Sequence, residues 1–127
     1  MKLSKPQINV KVIGVGGGGC NAVDDMISRG LDSVDFVAIN TDAQVLKNAL
    51  AKNRIQAGRT LTHGWGAGGD PSRGLRAVEE SKEEVSTVLA DRDLIFVAAG
   101  MGGGTGTGGA PAVASIAKAN KKPRNHR

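Results

Sequence analysis

The chain has 127 residues, enough for one domain with a real core and too few for two. Its single cysteine, Cys20, excludes an intramolecular disulfide and a cysteine-rich zinc site, and aromatics at 2% disfavour base-stacking nucleic-acid modules. The formal charge of +5 sits in residues 118–127, which hold five basic residues and no acid, whereas residues 1–117 balance twelve against twelve.

After a short extension, residues 1–7, the segment 8–15 is apolar and β-branched and runs straight into glycines, which predicts a strand. Residues 21–28 follow with Ala22, Val23, Met26 and Ile27 at helical spacing, stopped at Arg29-Gly30. Residues 36–39 predict a second buried strand, residues 43–52 a short helix, and residues 54–56 a short edge strand. A loop is expected over 57–70, closed by Asp70 as N-cap with Pro71 at the first helical position. The helix this opens is expected to reach about Leu89, with Leu75, Val78, Val85 and Leu89 on one face. Residues 93–99 form a third long apolar strand, and a last helix is expected from about Gly108, with Pro111 in its first turn. Apolar strands alternating with helices predict an α/β fold, a Rossmann-like open parallel sheet with helices on both faces.

Glycine is concentrated where this fold binds ligands. Sixteen of the 19 glycines fall in the windows 14–19, 64–69 and 100–109. The first window satisfies G-x-G-x-x-G between a strand and a helix, where backbone N–H groups can approach an anion. Alone, that pattern equally fits a dinucleotide-binding domain of an oxidoreductase, with NAD or FAD, and Asp42 is near enough to serve the ribose. The second strand-to-helix loop, 100–108, weighs against that reading, because a dinucleotide site needs one phosphate cradle and this chain offers two. Two helix N-termini on one site suit a di- or triphosphate with its own metal ion. No Walker-type lysine loop occurs and no lysine or arginine lies inside either of these two strand-to-helix loops, so backbone dipoles and a bound cation must meet the phosphate charge. Thr105 and Thr107 add hydroxyls.

The run Gly102-Gly103-Gly104-Thr105-Gly106-Thr107-Gly108 is similar to the signature loop of the tubulin/FtsZ superfamily of GTPases. Residues 11–23, 40–44, 66–68 and 98–111 resemble the FtsZ family in the same order, so the resemblance spans about residues 8–117. It implies the N-terminal half of a tubulin/FtsZ-type GTPase domain, with GTP or GDP as ligand and Mg2+ accompanying the nucleotide. It also implies a cytoplasmic protein of bacterial cell division at the septum, forming head-to-tail filaments of its own kind and meeting other division proteins. Neither nucleic acid nor membrane insertion is expected. By this resemblance Gly17, Gly18, Gly19, Cys20 and Asn21 contact the nucleotide, Cys20 through its backbone N–H. Gly102, Gly103, Gly104, Thr105, Gly106 and Thr107 belong to the phosphate-contacting signature. Asn40 and Asp42 match a loop lining the nucleotide, and Gly66, Ala67, Gly68 and Gly69 match the loop that senses the γ-phosphate. Trp65 stands where the family usually has an aliphatic residue.

The resemblance also implies what lies elsewhere. The family's base-reading loops and its catalytic acids, which act on the nucleotide of a neighbouring subunit, have no counterpart in these residues. No catalytic or metal-ligating residue is therefore assigned, and hydrolysis by this chain alone is not expected. A fragment that caps filaments is a further reading. His63, His126 and the acidic run Glu79, Glu80, Glu83 and Glu84 read as solvated, Asp42 reads equally as a loop cap or as a residue near the metal or subunit contact, and 118–127 reads as a disordered basic tail. No apolar run approaches the roughly 20 residues that span a bilayer, and the start lacks the apolar run of a signal peptide.

Overall fold

The computed structural model describes residues 8–90, 92–100 and 103–120. The 1–7 extension, Gly102, His126 and the tail beyond residue 120 lie outside the described residues. Four strands, β1 (Val10–Val15), β2 (Asp35–Asn40), β3 (Asn53–Gln56) and β4 (Leu94–Ala99), pair in parallel in the order β3-β2-β1-β4. Six helices join them: α1 (Gly16–Ser28), α2 (Ala43–Lys47), α3 (Arg59–Thr62), α4 (Pro71–Glu80), α5 (Lys82–Val88) and α6 (Gly104–Asn120). The α/β class, the parallel pairing and the edge position of β3 agree with the expectation.

Register explains both cores. Val12 stands opposite Phe36 and Phe96, and Ile13 opposite Val37 and Val97. Side chains alternate along each strand, so Ile13, Val15, Val37, Ile39 and Ile55 share one face. There they pack on Ala77 and Val78 of α4, Val85 of α5, and Ala112, Val113 and Ile116 of α6. Val12, Phe36 and Ala38 face the other way, against Cys20 and Val23 of α1 and Leu46 of α2. Helices thus cover both faces. β4 ends the sheet, and its Leu94 and Phe96 are 46% and 54% exposed.

Several elements depart from the sequence reading. The helix expected over 43–52 ends at Lys47, after which the N–H groups of Asn48 and Ala49 turn back onto the Val45 and Leu46 carbonyls. The glycine windows are not loops throughout: α1 starts at Gly16 and α6 at Gly104, which puts Pro111 in the interior of α6 rather than in its first turn. Glycine reads as a helix breaker, but here it lets a helix begin where backbones must nearly touch. The helix expected to run to Leu89 breaks at Ser81, whose N–H bonds back to the Val78 carbonyl and whose hydroxyl accepts from the Gly58 N–H at 3.2 Å. Leu75 lies off the buried face, 37% exposed. The 57–70 loop contains α3, and its cap is supplied from a distance. Glu80 accepts from the N–H groups of Thr60 and Leu61, both at 3.0 Å, so this residue of the exposed acidic face also caps α3. At Asp70 the expectation holds, since its carboxylate accepts from the Ser72 N–H at 3.0 Å and Pro71 opens α4.

Candidate functional site

The strand order reverses at β1. The chain steps outward from β1 to β2 and β3, then returns to the other flank of β1 as β4. Open α/β sheets bind ligands in the crevice beyond the strand ends at such a point. α1 leaves β1 there and α6 starts just beyond the end of β4, so two helix N-termini face the same crevice. Neither first turn carries an acidic residue. Their free N–H groups and positive dipole ends are therefore available to an anion.

The two turns are in direct backbone contact. Gly16 adopts φ 77°, which side chains rarely tolerate, and a Cβ there would stand 2.6 Å from the Gly106 nitrogen. The 64–69 glycine window closes the remaining side. A Cβ on Gly104 would stand 2.6 Å from the Asp70 nitrogen and 2.9 Å from the Gly69 carbonyl carbon. That window is tied in turn to the segment after β2, where Ala43 donates its N–H to the Gly64 carbonyl at 3.2 Å and Asp42 bridges to Trp65. All three glycine windows and the 40–42 segment meet at one end of the sheet.

Within this cluster the candidate residues divide by exposure. Gly17, Gly18, Asn21, Gly68, Gly69 and Gly103 are exposed, and Asp42, Gly66 and Thr107 are half-buried. Gly19, Cys20, Asn40, Ala67, Gly104, Thr105 and Gly106 are buried. The Cys20 Sγ points into the core toward the Gly14 and Ile39 carbonyls, at 3.8 and 3.7 Å. Burial, reinforced by the charge of Asp24, pushes its thiol up to about 11, so it is neutral and not a nucleophile at physiological pH. Asn40 turns its Oδ1 to the Asp42 N–H at 3.2 Å. Asp42 caps α2, accepting from the N–H groups of Gln44 at 3.0 Å and Val45 at 3.4 Å. Of the two roles left open for Asp42, the structure displays capping. His63 ends α3 in the left-handed conformation. Trp65 is 87% exposed at the rim.

One residue the sequence reading passed over stands out. Thr41, between Asn40 and Asp42, is fully buried, and its hydroxyl lies 2.7 Å from that of Thr105. A second hydroxyl, that of Thr107, is buried without a partner among the described residues. No group of three or more His, Cys, Asp or Glu side chains gathers among the described residues. Oxygen donors at this end of the sheet are hydroxyls and carbonyls, plus the Asn40 amide oxygen and the capping carboxylates of Asp42 and Asp70.

This architecture is shared with known proteins. The chain superposes on an FtsZ dimer of M. jannaschii with a TM-score of 0.87 and 43% identity, covering 91% of this chain and 34% of that one. CetZ2 from Haloferax volcanii, solved as a GTPγS-bound protofilament, is 33% identical with a TM-score of 0.74, over 84% of this chain and 35% of its own. TubZ of Clostridium botulinum phage c-st shares the fold at a TM-score of 0.71 and 23% identity, over 89% of this chain and 37% of its own. The chain thus spans about a third of the length of these relatives. The family model for the GTPase domain of the Tubulin/FtsZ family matches residues 9–126, which carries the likeness past the Ala117 limit read from the motifs. The chain belongs to the tubulin/FtsZ family and carries the part of its GTPase domain built around two converging helix N-termini.

Proposed function

We propose that this chain holds the phosphates of GTP or GDP in an FtsZ-like, filament-forming protein of cell division. One observation carries the reading: the N-terminal turns of α1 and α6 touch at Gly16 and Gly106, at the switch point of the sheet, with no acid in either turn. A polyphosphate spanning that contact receives N–H groups from both helices, at the sites of Gly17, Gly18, Gly19, Cys20 and Asn21 on one side and Gly103, Gly104, Thr105 and Gly106 on the other. Cys20, with its side chain in the core, contributes only its backbone. Gly66, Ala67, Gly68 and Gly69 close over the terminal phosphate.

The donor set suits a Mg2+ ion that arrives on the nucleotide, because magnesium binds through phosphate oxygens, waters and few protein oxygens. The Thr107 hydroxyl, buried and unpartnered among the described residues, is the protein oxygen this reading gives it. Bound there, the ion would offset phosphate charge where the loops have no lysine or arginine.

A dinucleotide site is the less favoured reading. The acid it needs after the second strand is Asp42, whose Oδ1 accepts the two N–H bonds that cap α2. The resemblance implies that the family's catalytic acids act from a neighbouring subunit and have no counterpart in these residues, and this chain covers 34% of the FtsZ chain it matches. The 127-residue polypeptide is therefore expected to bind GTP without turning it over. Calorimetric titration with GDP, GTP and NAD, together with a phosphate-release assay, tests this. Binding of GDP and GTP but not NAD, without phosphate release, is expected. Preference for NAD, or no nucleotide binding, overturns the reading, and GTP turnover by the chain alone overturns the division of labour.

A further inference from the structure

We propose that Thr41 is a positioning residue of the phosphate site, a buried hydroxyl that fixes the hydrogen-bond direction of Thr105. The inference rests on the phosphate-binding reading above and deepens it. Thr41 is fully buried where β2 gives way to α2, Thr105 is 6% exposed in the first turn of α6, and their oxygens lie 2.7 Å apart. The 64–69 glycine window closes over the pair, since a Cβ on Gly66 would reach within 3.8 Å of the Thr41 Oγ1.

Donor accounting selects one arrangement. Two hydroxyls carry two protons, and only one proton can lie between the two oxygens. If Thr105 donated to Thr41, the Thr41 proton would need another acceptor, and among the described residues its hydroxyl has Thr105 as its one partner. A buried donor left without an acceptor is costly. If Thr41 donates to Thr105, the leftover proton belongs to Thr105, the residue on the helix N-terminus that faces the crevice. It can then be donated to a phosphate oxygen, giving a charge-assisted bond. The Thr41 bond polarises that donor and strengthens it. Thr41 thus acts on the ligand without touching it, and it links the segment after β2 to the signature turn across 64 residues of sequence.

The test is GDP affinity of the purified chain and its variants. Thr41→Val keeps the shape and removes the hydroxyl, and it is expected to weaken GDP about three- to tenfold, the scale of one hydrogen bond. Thr41→Ser is expected to restore binding, and Thr41→Val added to Thr105→Val is expected to cost nothing further. A purely structural Thr41 would not show that dependence on Thr105. Unchanged affinity in Thr41→Val, or an equal loss in the Thr105→Val background, overturns the proposal. Should Thr41→Val fail to fold, hydroxyl-proton NMR of the unsubstituted chain with GDP decides. A Thr41 proton directed at Thr105 supports the proposal and a Thr105 proton directed at Thr41 overturns it. If the unsubstituted chain binds neither GDP nor inorganic pyrophosphate, the phosphate-site reading falls and this inference with it; if it binds and Thr41→Val binds equally, only this inference falls.

Discussion

Gly16 and Gly106 meet backbone to backbone, so that any side chain on the first would overlap the amide of the second. The contact sets the spacing of the two helix N-termini, and no nearby side chain can take it over. Gly16→Ala is therefore expected to be more damaging than its one added carbon suggests. The left-handed φ of 77° alone costs about 1–3 kcal/mol for an alanine, before the Gly106 nitrogen at 2.6 Å is displaced. Urea denaturation should show a loss of at least that size, and nucleotide binding should disappear. Gly17→Ala, at a position with open space around it, should cost far less stability. Equal effects of the two substitutions would show that the contact is not what spaces the helices.

Glu80 links α4 to α3, and the link is pH-dependent. The N–H groups of Thr60, above all, and of Leu61 hold its carboxyl below the ordinary value of 4.5. A carboxyl lowered in the folded state adds stability that is present above the unfolded value and is lost as pH falls through the folded one. Unfolding of the natural chain and of Glu80→Gln, compared from pH 7 down to 3, should show a difference near neutrality that closes below about pH 4.5. A difference that does not vary with pH would mean that the charge plays no part in capping α3.

Cys20 behaves in the opposite sense. Its folded value of about 11 exceeds the ordinary 9.0, first because of burial and then because of Asp24. Below pH 9 the thiol is neutral whether the chain is folded or not. As pH rises from about 9 to 11 only the unfolded chain releases the proton, so stability falls across that window. Relative to Cys20→Ala, the natural chain should lose up to about 2–3 kcal/mol over this range. A constant difference between the two would show that the thiol ionises as readily folded as unfolded.

The sheet was legible because its signals are local. Each long apolar run ends at glycine or at a cap such as Asp42, and a parallel sheet follows from their alternation with helices. The crevice was legible too, since two glycine windows directly follow strands that the topology makes neighbours. The starts of α1 and α6 were not, because glycine at Gly16 and Gly104 announces a break when only the helix is considered. The reason for those glycines is the neighbouring backbone, which no local pattern contains. The same limit hid Glu80, whose partners lie 20 and 19 residues away, and Thr41, whose partner lies 64 away. Side-chain direction divides the site list as well. Cys20 and Asn40 sit in the right segments, yet both point inward.

The β4 edge makes a prediction about association. Its outer backbone groups face no further strand in this sheet, and the adjoining surface is apolar, with Leu94 and Phe96 about half exposed. Exposed apolar edge strands pair with other chains unless a charge or a proline blunts them, and Leu94–Ala99 contains neither. In isolation the 127-residue chain should therefore associate as its concentration rises, by sedimentation velocity. Phe96→Lys places a cation on the exposed face of the edge strand, where it can reach water without entering the Ile13–Val37 side of the sheet. That variant should sediment as a monomer across the same range while keeping its circular dichroism. A natural chain that stays monomeric, or a Phe96→Lys chain that associates equally, would show that this edge does not drive self-association.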